Sequence, residues 1–217
     1  MNASPSPILR LGNRLAAAIA AWADYLSRHW LAALNLLLLL YLALPFAAPA
    51  LMHAGAAGPA RVLYALYRPA CHQLPERSYF LYGAAPVYTL TELETGGAAL
   101  GDNIFSRRAY IGDPAHGYKV ALCQRDVAIY GSMFLMGLIF ALRRRLPRLP
   151  LKIYALLLLP IAADGISQLL GLRESTWQMR TLTGALFGAA TLWLVLPYLA
   201  ETMQEAREGF TRSRKSA

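Results

Sequence analysis

The strongest pattern in this chain is a series of apolar runs too long for the core helices of a small soluble domain. Residues 30–50 (WLAALNLLLLLYLALPFAAPA) carry no charge. At 1.5 Å per residue they can cross a hydrocarbon core of ~30 Å. Similar runs cover about 127–142, 153–172 and 178–199. The pattern predicts four transmembrane helices. Ahead of the first run the period changes. Leu11, Leu15, Ala18 and Trp22 recur at helical spacing, as do Ile8, Leu15, Ile19, Trp22 and Leu26, with Arg10, Arg14, Asp24 and Arg28 between them. This predicts an amphipathic helix over 8–28, lying on the membrane surface or packed on the bundle. Residues 1–7 are polar and Pro-rich, and read as disordered.

Between the first and second runs the pattern is mixed. Gly55 to Pro59 breaks any helix, and residues 61–70 read as a short amphipathic helix leading to Cys71. Residues 79–87 are aromatic but too short to span, and read as an interfacial or re-entrant piece. Residues 91–119 are Gly-rich and polar, which predicts a loop with room for a small hairpin. The expected fold class is all-α: an integral membrane helical bundle of about four transmembrane helices, with an N-terminal amphipathic helix and an interfacial segment. One membrane domain, 30–200, is flanked by a segment 1–29 and a basic tail 201–217. Ala48-Pro49-Ala50 has the look of a signal-peptide cleavage site, but the preceding region is too long and the run too extended, so an uncleaved anchor is expected.

Composition agrees with this reading. The chain is 57% hydrophobic and 15% charged, where soluble domains are about a quarter charged. The net charge of +9 does not point to nucleic acid, because the basic residues stand beside apolar runs. That placement suits membrane orientation and anionic lipid, so the expected partner is the bilayer. The connection Arg143 to Lys152 holds five Lys or Arg and no acid, which predicts a cytoplasmic loop. Four spans then put both termini in the cytoplasm, beside Arg10, Arg14 and Arg28 and beside Arg207, Arg212, Arg214 and Lys215. The expected location is the cell (inner) membrane, with 53–122 facing outward. Trp30 and Trp177 fall at interfacial levels.

With that topology the candidate chemistry converges. Cys71-His72 and Cys123-x-x-Asp126 lie on the outer side and include the chain's only two cysteines. Sulfur, nitrogen, sulfur and oxygen can serve tetrahedral zinc, or three of them can leave a position open for water or substrate. Adjacent Cys71 and His72 do not easily bind one ion together. Alternatively the cysteines form a disulfide or an exchanging thiol pair. Asp164 lies ~10 Å inside the outer end of its span, with Gln168 on the same face. An Asp in hydrocarbon needs a partner, and Arg125 and Arg180 are the candidates. Asp164, Arg125 and Arg180 are read as catalytic groups or as a structural clamp. Gln73, Arg77, Gln168, Arg173 and Glu174 complete the polar set. Met133 and Met136, one turn apart, suit copper in principle and packing by default. Gly184 and Gly188 form a GxxxG face for close helix packing.

Cys71-His72-Gln73 with Pro75-Glu76-Arg77-Ser78, then Cys123-Gln124-Arg125-Asp126 running into Ile129-Tyr130-Gly131, resemble the family called domain of unknown function 2085. Pro160, Asp164-Gly165, Gln168, Arg173-Glu174-Ser175, Arg180, Thr183-Gly184 and Gly188 resemble its second signature. The resemblance covers about 60–195 and implies a small polytopic prokaryotic membrane protein, with no activity attached. Members often carry a further Cys where Asp126 stands; Asp keeps a ligand but removes a thiol. The 91–119 loop is longer than usual. Three readings follow: a metal-binding protein acting on a membrane-borne substrate, a transporter using Asp164 and Arg180, and a redox or structural protein.

Overall fold

The computed structural model describes residues 7–143 and 146–216, with side chains through Arg212. The polar start lies outside it except for Pro7, as do Arg144 and Arg145. The backbone of Arg214 and Lys215 is described, but not their side chains.

Four helices are long and apolar enough to cross a membrane. They are α1 (Pro7–His53), α5 (Gln124–Arg143), α6 (Leu151–Leu169) and α7 (Trp177–Ser216). Between α1 and α5 lie α2 (Ala57–Tyr67), a 3-10 turn Pro75–Arg77, β1 (Ser78–Leu81), α3 (Leu90–Thr95), α4 (Ile104–Ala109), β2 (Gly112–Asp113) and β3 (Gly117–Cys123). The chain is therefore mostly helical.

The N-terminal amphipathic segment and the first span are one helix. Nothing in residues 8–53 breaks it until Ala54-Gly55. Its 47 residues give a rod of ~70 Å, and the 40 residues of α7 one of ~60 Å, by the same rise per residue. Each is about twice the ~30 Å core. Both therefore run beyond it at the end away from the sheet. Residues 7–22 are exposed, and burial begins at Asp24, which accepts from Arg28 Nε at 3.0 Å. Pro45 and Pro49 lie inside α1 without ending it. A proline at 45 cannot donate to the carbonyl of Tyr41. Tyr67 Oη of α2 donates to that carbonyl at 2.8 Å instead, so α2 repairs the gap that Pro45 opens.

The segment between the first two spans adds a small sheet to the helical bundle. β3 pairs antiparallel with β1 and β2, in the order β1-β3-β2. Within residues 79–87, the segment expected at the interface, the chain forms β1 and the turn after it. Phe80 of β1 is packed with Leu93 and Tyr110 in a small core of its own, where the burial is in protein and not lipid. Residues 91–119 hold two short capped helices and the β2–β3 hairpin. Thr89 and Glu92 form a capping box on α3, and Asn103 and Ser106 one on α4.

The helices pack through small residues. A Cβ at Gly184 would lie 2.7 Å from Arg125 O, and one at Gly188 2.2 Å from Ile129 O. The GxxxG face therefore sets how closely α7 approaches α5. Met133 and Met136 pack against the apolar cluster of Leu38, Phe140, Leu192 and Leu196. A second cluster joins Ala48 of α1 to Ala60, Tyr64 and Tyr67 of α2 and to Cys71, Ala121, Leu122 and Cys123. It seats the sheet on the end of the bundle.

Candidate functional site

The site is made where two chain segments turn. After α2 the chain reaches Cys71, whose N–H bonds Tyr67 O at 3.0 Å. Gln73 then adopts φ +50°, a backbone region unfavourable to most side chains. Three buried bonds hold it there. Its Nε2 donates to Tyr64 O and Ala121 O, each at 2.9 Å, and its own carbonyl accepts from Lys119 Nζ at 2.6 Å. Pro75 opens the 3-10 turn that follows. On the other segment β3 ends at Cys123 and α5 begins at Gln124. Cys123 N–H donates to Cys71 Sγ at 3.2 Å. Asp126 sits in the first turn of α5, where the helix dipole favours an acid.

The ligand atoms of Cys71, Cys123 and Asp126 lie within 4.8 Å of one another. Both cysteines are buried free thiols. A tetrahedron of bonds ~2.3 Å long has edges of ~3.8 Å, so the three groups are close to ligand spacing. His72 is not within the cluster. It lines the same cavity, and its Nδ1 accepts from Leu74 N–H at 3.2 Å. Burial, then the charge of Arg77, push His72 down to about 4, even though the residue keeps part of its surface in solvent. The ring is neutral at neutral pH and carries its proton on Nε2. The Cys123 thiol is pushed up, first by its hydrogen bond with Cys71, then by burial and by the neighbouring charges of Cys71 and Asp126.

The cavity above these groups measures about 200 Å³ and is bounded by Arg77, Arg125, Gln168 and Arg180. Gln168 Oε1 accepts from Arg77 Nη1 and Nη2 at 3.1 and 2.7 Å when its amide is oriented carbonyl-inward. Arg180 is only 6% exposed. Its Nη1 makes two long contacts, 3.3 Å to Glu76 O and 3.4 Å to Gln124 Oε1. Among the described residues, the buried Nε atoms of Arg77, Arg125 and Arg180 have no hydrogen-bond partner.

Asp164 stands beside the cavity in a different state. It accepts from Arg125 Nη2 at 2.6 Å, Arg173 Nη2 at 2.8 Å and Ser175 Oγ at 2.9 Å. The expected partnership with Arg180 is replaced by Arg173. Gly171, at φ +67°, turns the chain just after α6 and brings Arg173 back over the helix end. Arg180 instead faces Glu76 and Gln124. Glu174 is exposed, and among the described residues no hydrogen bond or ion pair ties it to these groups.

Sequence reasoning did not find Lys119. It is fully buried in β3 and donates to Gln73 O and, at 2.9 Å, to Arg108 O. Burial pushes it down to about 7, although nearby Glu76 opposes this. The available signal was a lone lysine entering the apolar run 120–123. Ser175 and Gln124 were quoted only inside motifs.

A helical bundle with four apolar spans and a buried ionic and thiol cluster at one end defines a multi-pass integral membrane protein. The family described as "Predicted membrane protein (DUF2085)" matches residues 114–194. Uncharacterized protein MJ1492 of Methanocaldococcus jannaschii is 30% identical over 142 residues, covering 64% of this chain and 69% of that protein. This chain belongs to the DUF2085 family of membrane proteins. No solved structure matches it. The matched stretch contains Cys123, Asp126, Asp164 and Arg180 but not Cys71.

Proposed function

We propose that this protein is a metal-dependent membrane protein whose ion is held by Cys71, Cys123 and Asp126 and faces a membrane-borne substrate at the outer leaflet. The observation that carries this is the mutual 4.8 Å spacing of two sulfurs and a carboxylate on the floor of a cavity. Two thiolates and one carboxylate suit zinc or a similar borderline ion, and three protein ligands leave a fourth position open. Such an ion polarises a bound oxygen and makes bound water a nucleophile near neutral pH. The protein's own groups prepare the place. Lys119 and the Gln73 turn hold Cys71, and β3 holds Cys123. Neutral His72 lines the wall as a donor.

The outward placement is supported by charge. Arg143, Arg148, Lys152, Arg207 and Arg212 lie at the opposite end of the bundle, as expected of a cytoplasmic face. Exchange chemistry at the cysteines is less well supported. A reactive thiol needs a lowered pKa, and that of Cys123 is pushed up.

Elemental analysis of the purified full chain tests the reading. About one zinc-class ion per protein is expected, lost in Cys71→Ser and in Cys123→Ser. Metal uptake should weaken as pH falls, since both thiols must release protons. A metal-free protein whose intact mass rises by two protons on reduction would replace the metal centre with a disulfide.

A further inference from the structure

We infer that the cavity between Arg77 and Arg180 binds a phosphoryl-class oxyanion. The inference deepens the metal reading and rests on it for placing the ligand beside an ion, while the arginines themselves carry the binding.

The charge balance is the first argument. Arg125 is committed to Asp164 at 2.6 Å. Among the described residues, neither Arg77 nor Arg180 has a carboxylate within ion-pair distance. Glu76 is paired with Arg107 at 3.7 Å instead. A buried guanidinium without a counter-charge is costly. Arg180 is almost fully enclosed and its two contacts are long. The cavity therefore holds two arginines with no paired carboxylate among the described residues, and the acid on its lining, Asp126, belongs to the proposed ion site.

Donor geometry is the second. Guanidinium forks match oxyanions, presenting parallel N–H groups to adjacent oxygens. Arg77, which also donates to Gln168 Oε1, follows the Cys71 turn, Arg180 is on the first turn of α7, and His72 lines the same space. Donors from three positions around one space suit a group with at least three oxygens better than a two-oxygen carboxylate. At about 200 Å³ the space is smaller than the ~300–1,000 Å³ of whole-ligand pockets. It fits a compact head, with the remainder of a ligand outside. Leu169, Leu170 and Leu172, which follow the lining residue Gln168 in sequence, are exposed, so a lipid head group and free phosphate are both reachable sources.

The full chain, purified in detergent, is titrated with inorganic phosphate by calorimetry before and after chelation. A second sample, reconstituted into phosphatidylglycerol–phosphatidylcholine vesicles, is extracted and examined by native mass spectrometry. At least one probe is expected to bind, and Arg77→Gln to weaken binding roughly ten-fold or more. Arg180→Gln should do the same if it folds; half-buried Arg77 keeps the test valid if it does not. Phosphatidylglycerol that excess phosphate fails to displace identifies a lipid head group. Phosphate binding without retained phosphatidylglycerol identifies the free ion. Binding of neither probe to folded protein, or binding unchanged in Arg77→Gln, overturns the inference. Metal measured on the same samples separates the two readings. Phosphoryl binding to a metal-free protein sinks the metal centre alone; stoichiometric metal without phosphoryl binding sinks this site alone.

Discussion

Asp164 and Arg180 are both buried charges at the same end of the bundle, and both were read from the sequence as candidates for chemistry. Asp164 has two arginines and a serine hydroxyl on its carboxylate, all within 2.9 Å. Arg180 has two long contacts to neutral oxygens and an Nε with no partner. A saturated charge has little left to offer a ligand or a moving ion. It joins α5, α6 and the turn before α7, and acts as a clamp. An unsaturated charge beside a cavity keeps its binding capacity. The difference is what the proposed anion site rests on, and it disfavours the transporter reading, which needs Asp164 free to exchange partners.

The largest effect should come from breaking the clamp. Asp164→Asn leaves Arg125 and Arg173 without their acid and should cost about 3–5 kcal/mol, seen as a large drop in melting temperature in detergent. Normal melting with lost ligand binding would reverse the assignment of the two regions. Next comes the helix contact that carries both. Gly188→Leu pushes a side chain into Ile129 O and should cost about 1–3 kcal/mol. Gly131→Ala, whose Cβ would meet nothing nearer than 3.9 Å, should melt like the parent or slightly higher.

Lys119→Met tests how the cavity's floor is held. It leaves Gln73 O and Arg108 O unpaired, at a cost of about 1–3 kcal/mol. The parent should also show a pH signature. Between about 7 and the ordinary 10.5 the unfolded chain keeps a proton that the folded lysine has released. Stability therefore rises with pH across that window, with the penalty complete below it. Melting curves should show this rise in the parent and a flatter profile in Lys119→Met; equal slopes would remove Lys119 from the account. A small stability effect, within about 1 kcal/mol, belongs to Arg77→Gln, because half-buried Arg77 has no ion-pair partner among the described residues and gives up only its bonds to Gln168.

The four spans were legible because membrane helices must satisfy their own backbone and show a continuous apolar run. The GxxxG face was legible for a related reason: only small residues allow that approach. The segment between the first two spans was not. Its sheet is short, and β1 and β3 are far apart in sequence. Its burial comes from packing on α1 and α2 and leaves no alternation that a window would detect. Lys119 shows the same limit. A lysine in a Gly-rich stretch reads as solvated, and only β3's position under the Cys71 turn buries it.

The amino-acid sequence by itself determined the membrane class, the number of long apolar spans and the polar residue types set beside them, since these depend on local hydrophobicity and residue type. Tertiary structure decided which of those residues are spent. Gly171 returns Arg173 to Asp164, α2 supplies Tyr67 to the carbonyl that Pro45 orphans, and the Gln73 turn puts Cys71 beside Cys123 and Asp126. Each outcome depends on groups distant in sequence meeting in a low-dielectric interior. There a charge is either paired or left able to bind, and spacing along the chain does not say which.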